Sequence, residues 1–494
     1  MSEVIASAPS GLGSVPRLRL IRSRAGESPW LPVALGVVLA FLGSLTWFQW
    51  WHPYIEHDDW DMLLPNGPTF VENHTARLLY EGRWLNDWWW KLGSQALSPR
   101  GAAILFAIAW LIVVAVIVRS LGLRWWSVPA VAALYSAPMM SMLSFWPATL
   151  AAPMWMLALT AGLLWLTRDR QALHLTTLVV GVVAISLGYP PLALLLLPFL
   201  VALHHTRSWR GLAVLAAAFV AAYIGGILLV FSLNDLRFGV FGLKIQAWRN
   251  PSPLNGLTSL RHHLHTVGRN WGAVLRPSTL PLLASLAALI VGLGEAGLRR
   301  RIGILTLALV GAAGLSASST ILNGVNVPAR ANVWFWPFLV LVCVWGLSAL
   351  KLRRRAVAAI ALVFVAAWST LYSAYATLGH RADQRALDAL RSTILAHHLH
   401  HPDARVIFAV MQLRPTAAER QAVEQVSNAL AKFDGITATQ VCVHCHLIHT
   451  RIDARDPRTW VFDRPGWIVV QLPRTMAPSG LYARGVPHWL VPLR

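Results

Sequence analysis

The sequence predicts an all-α polytopic membrane protein that ends in a small α/β domain. Three observations carry that prediction. Of the 494 residues, 56% are hydrophobic and only 13% charged, about half the charge fraction of an ordinary soluble domain. Mean hydropathy is +0.53, and several apolar runs reach the roughly 18–20 residues that a helix needs to cross a bilayer. After residue 376 the pattern changes to alternating helix-like and strand-like segments.

Residues 1–30, with Arg17, Arg19, Arg22 and Arg24, read as a cytoplasmic tail. The first apolar run, 31–51, is too long for a signal-peptide core and has no small-residue cleavage site, so it reads as a retained span. Further spans are predicted near 101–118, 125–142, 149–166, 174–188, 190–204, 211–233, 280–298, 302–321, 333–350 and 356–376, about eleven in all. Arg119 and Arg124, Arg168 and Arg170, Arg207 and Arg210, Arg299 to Arg301, and Arg353 to Arg355 then share the cytoplasmic side. The net charge of +21 is thereby explained by the positive-inside pattern. No nucleic-acid motif accompanies it, and no nucleic-acid partner is expected. The outer side receives the long loops 52–100 and 234–279 and the tail 377–494. Residues 31–376 form the transmembrane part, for which a bacterial inner-membrane location is expected.

Directly after the first span comes HPYIEHDDWD (52–61), with Glu56, Asp58, Asp59 and Asp61 at the outer lipid boundary. PTFVENHTARLLYEG follows as a short helix ending at Gly82. RWLNDWWWKLGSQ, with Trp84, Trp88, Trp89 and Trp90, then reads as a helix lying in the interface.

Asp58-Asp59-Trp60 after the first span, with Gly82-Arg83-Trp84 between two interfacial helices, resembles the type-II O-antigen glucosyltransferase family. That family belongs to the GT-C class of membrane glycosyltransferases, which use polyprenyl-phosphate sugars. Its members often carry Tyr-Gln in an outer turn; here Tyr189 is followed by Pro190. Arg330, in NVPARANVW, matches a basic residue of a late outer loop. The resemblance covers about residues 30–350. It implies a GT-C-like fold and transfer of a hexose, glucose in that family, from a polyprenyl-phosphate donor to a polysaccharide or lipopolysaccharide (O-antigen) acceptor at the periplasmic face. Asp58 and Asp59 would be catalytic, and Arg330, Arg83, Trp60 and Tyr189 would bind substrate. No cofactor is assigned, and a divalent metal is left open.

The chemistry asks for the same residue types. A sugar on polyprenyl phosphate brings its own leaving group. A carboxylate must accept the acceptor hydroxyl's proton, and cations must stabilise the departing phosphate. Adjacent acids are also common as helix caps or in solvated loops, so depth and topology decide between the readings. The loop 234–279, with Arg237, Lys244, Arg249, Arg261, His262, His263, His265 and Arg269, could form a lid over the donor phosphate or a contact for an anionic acceptor such as lipopolysaccharide, but most of these residues read as an amphipathic segment on lipid headgroups.

In the tail, Leu387, Leu390 and Ile394 share one helical face, and Thr416 with Glu419 forms a capping box for a helix with Val423, Val426 and Leu430 inward. RVIFAVMQL, ITATQVCVH and GWIVVQL read as strands. Cys442-Val443-His444-Cys445-His446 matches a haem-attachment pattern, and Cys442, Cys445, His446 and His449 could be drawn as zinc ligands. Neither has supporting context, and a Cys442–Cys445 disulfide is the expected reading in an oxidising compartment. Cys343 reads as a small apolar residue within a span.

An O-antigen polymerase, or another protein of polysaccharide export or transport, is the alternative. It has no need of an acid pair beside the first span. A transporter would call for ionisable residues at mid-membrane, and the span interiors hold almost none.

Overall fold

The computed structural model describes residues 35–36, 38–39, 47–51, 54–56, 59–64, 74–123, 127–245, 249–292, 294, 296–349, 352–410, 417–437, 439–443 and 456–471. The chain is mostly helical, with a small C-terminal sheet. Among the described residues, six helices are long and apolar enough to cross a membrane: Pro99–Ser120, Pro147–Leu166, Trp209–Phe238, Leu257–Ile290, Gly297–Asn323 and Ala329–Gly346. Shorter apolar helices cover Gln171–Ser186, Pro190–His204 and Ile360–Ala374. This makes the chain a multi-pass membrane protein, with six such helices among the described residues where the sequence predicts about eleven spans. The first predicted span lies largely outside the described residues.

The described helices are α1 (Trp47–Trp51), α2 (His74–Tyr80), α3 (Trp84–Leu92), α4 (Pro99–Ser120), α5 (Ser127–Tyr135), α6 (Pro138–Leu143), α7 (Pro147–Thr167) and α8 (Gln171–Ser186). They continue with α9 (Pro190–Ala193), α10 (Leu196–His204), α11 (Trp209–Phe238), α12 (Leu257–Gly292), α13 (Ala296–Asn323), α14 (Phe335–Ala349), α15 (Leu352–His400) and α16 (Ala417–Asp434).

Two differences from the predicted spans have a clear physical cause. The run 125–142 is divided at Ala137, because Pro138 cannot donate the hydrogen bond that would continue α5. The carbonyls near the break find partners elsewhere. Trp336 Nε1 donates to the Ala133 oxygen at 2.8 Å and Trp110 Nε1 to that of Tyr135 at 3.0 Å. Conversely, much of the predicted outer loop 234–279 is helix. The end of α11 reaches Phe238, and α12 begins at Leu257 and runs through Pro277 and Pro281. Pro281 leaves the Pro277 carbonyl without its helical partner, and Trp368 Nε1 of α15 donates to it at 2.8 Å.

Helix α15 has 49 residues, about 74 Å at 1.5 Å per residue, and passes without a break from the last apolar segment into the C-terminal domain. There the strands β1 (Arg405–Val410), β2 (Thr439–Val443), β3 (Val461–Arg464) and β4 (Trp467–Gln471) form a sheet in the order β2-β1-β4-β3. β1 runs parallel to β2 and β4, and β3 pairs antiparallel with β4. Leu390 and Ile394 of α15 and Val423, Val426 and Leu430 of α16 pack on Val406, Phe408, Ile468 and Val470. Cys442 is disulfide-bonded; Cys445, His446 and His449 lie outside the described residues. Cys343 is free and buried.

The domain docks onto the loop after α1. Gln425 donates to the Ile55 carbonyl, and Lys432 Nζ donates to the carbonyls of Leu63 and Gln95 at 2.8 and 2.6 Å. Ser94 and Trp90 donate to the Met62 and Leu64 carbonyls from the other side.

Candidate functional site

The helices have two kinds of end. At one end lie the starts of α7 and α14 and the ends of α8, α11 and α13. Here the interfacial helices α2 and α3 attach. Leu85 N–H donates to the Leu187 carbonyl at 2.9 Å, and Trp84 Nε1 to Asn234 Oδ1 at 2.9 Å. The turn between α2 and α3 requires Gly82. Its φ is +78°, and a Cβ there would stand 2.5 Å from Leu243 Cδ2. That turn sets Arg83 at the start of α3, paired with Glu81 at 3.0 Å.

Arg249 is brought to the same place by a second set of bonds. The Asn326 N–H donates to the Arg249 carbonyl and the Ser252 N–H to that of Asn323, both at 2.9 Å. Buried His263 braces this pairing, with one ring nitrogen 2.8 Å from the Ile321 carbonyl and the other 2.9 Å from Ser252 Oγ. Segment 249–252 thus lies along 323–326, and Arg330 follows in the 3₁₀ turn Ala329–Asn332. Tyr189 closes the group from the turn between α8 and α9.

Arg83, Arg249, Arg330 and Tyr189 are all half-buried. Burial pushes the Arg249 guanidinium below its usual range. Tyr189 and Glu81 oppose that shift, while Arg83 and Arg330 reinforce it. An arginine remains cationic under such pressure. Three guanidinium groups and one carboxylate, from three separate segments, therefore lie close enough to interact around Arg249, an arrangement that favours an anion. The Arg330 guanidinium lies 4.1 Å from the centroid of Trp146, which fixes its direction.

The acidic loop adjoins this cluster through the same turn, since the Glu56 N–H donates to the Phe145 carbonyl at 2.9 Å. Asp59 is fully buried. Its two oxygens accept the N–H groups of Ala148 and Thr149 at 2.9 and 2.6 Å, the otherwise unsatisfied donors at the start of α7. Asp59 therefore anchors the loop on a helix N-terminus. Asp58 lies outside the described residues. Trp60 is buried edge-on to Phe433 of α16 and lines a separate cavity towards the C-terminal domain.

The structure thus brings together Arg83, Arg330 and Tyr189 and adds Arg249, from a loop whose residues the sequence reads mostly as headgroup contacts and otherwise as a lid over the donor phosphate. No spacing rule singles Arg249 out from Arg237 or Arg261. Its place depends on backbone pairing with a segment more than seventy residues away. Buried Asn86, on α3, is a second residue the sequence does not flag, and neither amide atom has a hydrogen-bond partner among the described residues. Among those residues no three His, Cys, Asp or Glu side chains are grouped as a metal site would require. Compared with protein-family models, curated proteins and solved structures, the chain matches none.

Proposed function

We propose that this protein is a membrane glycosyltransferase that moves a hexose, glucose by the resemblance, from a polyprenyl-phosphate donor to a cell-surface polysaccharide or lipopolysaccharide acceptor at the periplasmic face. The observation that carries the reading is the convergence of Arg83, Arg249 and Arg330 with Tyr189 at one end of the apolar helices. The donor's lipid tail stays in the bilayer, so its phosphate must be met at that depth. Guanidinium groups bind phosphate oxygens through two N–H groups at once, and they stabilise charge as it develops on a leaving group.

In the proposed reaction the acceptor oxygen forms a bond to the sugar's anomeric carbon as that carbon's bond to the phosphate oxygen breaks. The bonding pair leaves with the phosphate, where the arginines hold it. Asp58 takes the acceptor hydroxyl's proton. Asp59, already engaged with the start of α7, holds the loop that carries Asp58.

The test is consumption of polyprenyl-phosphate-glucose by membranes containing the protein. Asp58→Asn at equal protein level is expected to slow turnover by about 10²–10⁴, the usual cost of losing a general base. Membranes that leave the donor intact, or an Asp58→Asn variant at full rate, would overturn the reading.

A further inference from the structure

The docked C-terminal domain leaves a cavity of about 190 Å³ between itself and the membrane helices. Trp51, Trp60, Leu387, Arg391, Gln425 and Phe433 line it. A water occupies about 30 Å³ of liquid, so the space is worth about six waters, enough for one small ring.

Its chemistry is unlike that of the arginine cluster. Phe433 is 48% exposed and Trp51 60% exposed, although both border a seam where two folded parts meet. Bare aromatic surface at such a seam marks a place for a ligand or partner. The Trp51 ring is held by Arg100, whose guanidinium lies 5.5 Å from its centroid. Phe433 is held edge-on by Trp60 at 5.8 Å and by Arg391 at 4.6 Å. The platforms are therefore fixed in direction before anything binds. Arg391 donates twice to Asp434, at 2.6 Å each, and Asp388 also lines the cavity beside it, so its charge is already offset. A phosphate has little to gain here. Gln425, which reaches the Ile55 carbonyl through its amide nitrogen, brings a polar group to the cavity. Fixed aromatic faces with polar groups at their edge suit a ligand with an apolar C–H face and a rim of hydroxyls.

We propose that this cavity binds a neutral pyranose unit, and that the unit belongs to the saccharide acceptor. The second half of that statement rests on the transferase reading; the first does not. The position fits, because Trp60 immediately follows Asp59 in the loop between this cavity and the start of α7, where Trp146 carries the Arg330 guanidinium over its ring.

The experiment is saturation-transfer NMR on the full-length protein in nanodiscs. The probes are the methyl glycosides of glucose, galactose, mannose, rhamnose and N-acetylglucosamine. At least one should receive saturation at its ring C–H protons. Binding should weaken about tenfold in Phe433→Ala and in Trp51→Ala, recover in Trp51→Tyr, and be unchanged in Arg249→Ala. About half of each ring is exposed, so their removal leaves the packed core intact. Saturation of no probe, or binding indifferent to Phe433→Ala and Trp51→Ala, would overturn the proposal. So would loss in Arg249→Ala, which would put the sugar among the arginines, or saturation of lipid headgroup protons alone, which would make the seam a lipid site. Intact donor turnover with no glycoside binding would fail this inference alone. Glycoside binding without donor turnover would fail only the transferase reading.

Discussion

Arginines gather at both ends of the apolar helices, and the two gatherings are built differently. At one end Arg207 donates to the Arg168 carbonyl at 2.7 Å, and Arg300 donates to the Arg207 carbonyl. Arg168, Arg300 and Arg301 lie over Trp165, Trp209 and Trp345. These side chains tie one helix-connecting turn to the next and satisfy helix-terminal carbonyls. At the other end Arg83, Arg249 and Arg330 come from three distant segments and meet around Arg249 with Tyr189 and Glu81. The same residue type acts as a stitch in one place and as part of a receptor in the other. Convergence separates the two, and charge count does not.

The comparison can be broken most decisively at Arg249. Arg249→Ala is expected to slow donor turnover by about 10²–10³, the usual cost of removing one preorganised partner of developing charge. A loss below about tenfold would mean that the cluster is only another stitch. Asp59→Asn sharpens the boundary between support and chemistry. Asn keeps one acceptor oxygen, so one donor at the start of α7 is left unmet at a cost of about 1–3 kcal/mol. The thermal midpoint should fall, with turnover per folded molecule nearly preserved; a full rate loss at unchanged stability would give Asp59 the proton-accepting role. The smallest effect belongs to Arg300→Ala. An exposed arginine near the start of α13 contributes little energy, and turnover should change by less than about twofold.

Several elements were readable from local pattern. Leu387, Leu390 and Ile394, and Val423, Val426 and Leu430, lie on the faces that their helical spacing predicts, against strands rich in β-branched residues. The Gly82-Arg83-Trp84 turn was visible as a motif, and its need for glycine follows from the crowding by Leu243 and Val230. Elements that depend on distant partners were not readable. Pro277 and Pro281 look like helix breakers, yet α12 continues because Trp368 supplies the missing donor. The edge strand Val461–Arg464 is only four residues long and exists through its pairing with β4. The acid pair was visible as a pair, but only the fold shows that Asp59 caps α7.

The most direct test of the difference between the two arginine clusters is binding of the leaving group itself. Polyprenyl phosphate would be titrated against the purified full-length protein in neutral-lipid nanodiscs, for the wild type, Arg249→Ala and Arg300→Ala. A receptor of three converging guanidinium groups predicts saturable binding that is weakened at least about tenfold in Arg249→Ala and unaltered in Arg300→Ala. Equal weakening in both variants would show a diffuse attraction of positive charge for phosphate and would contradict a dedicated site.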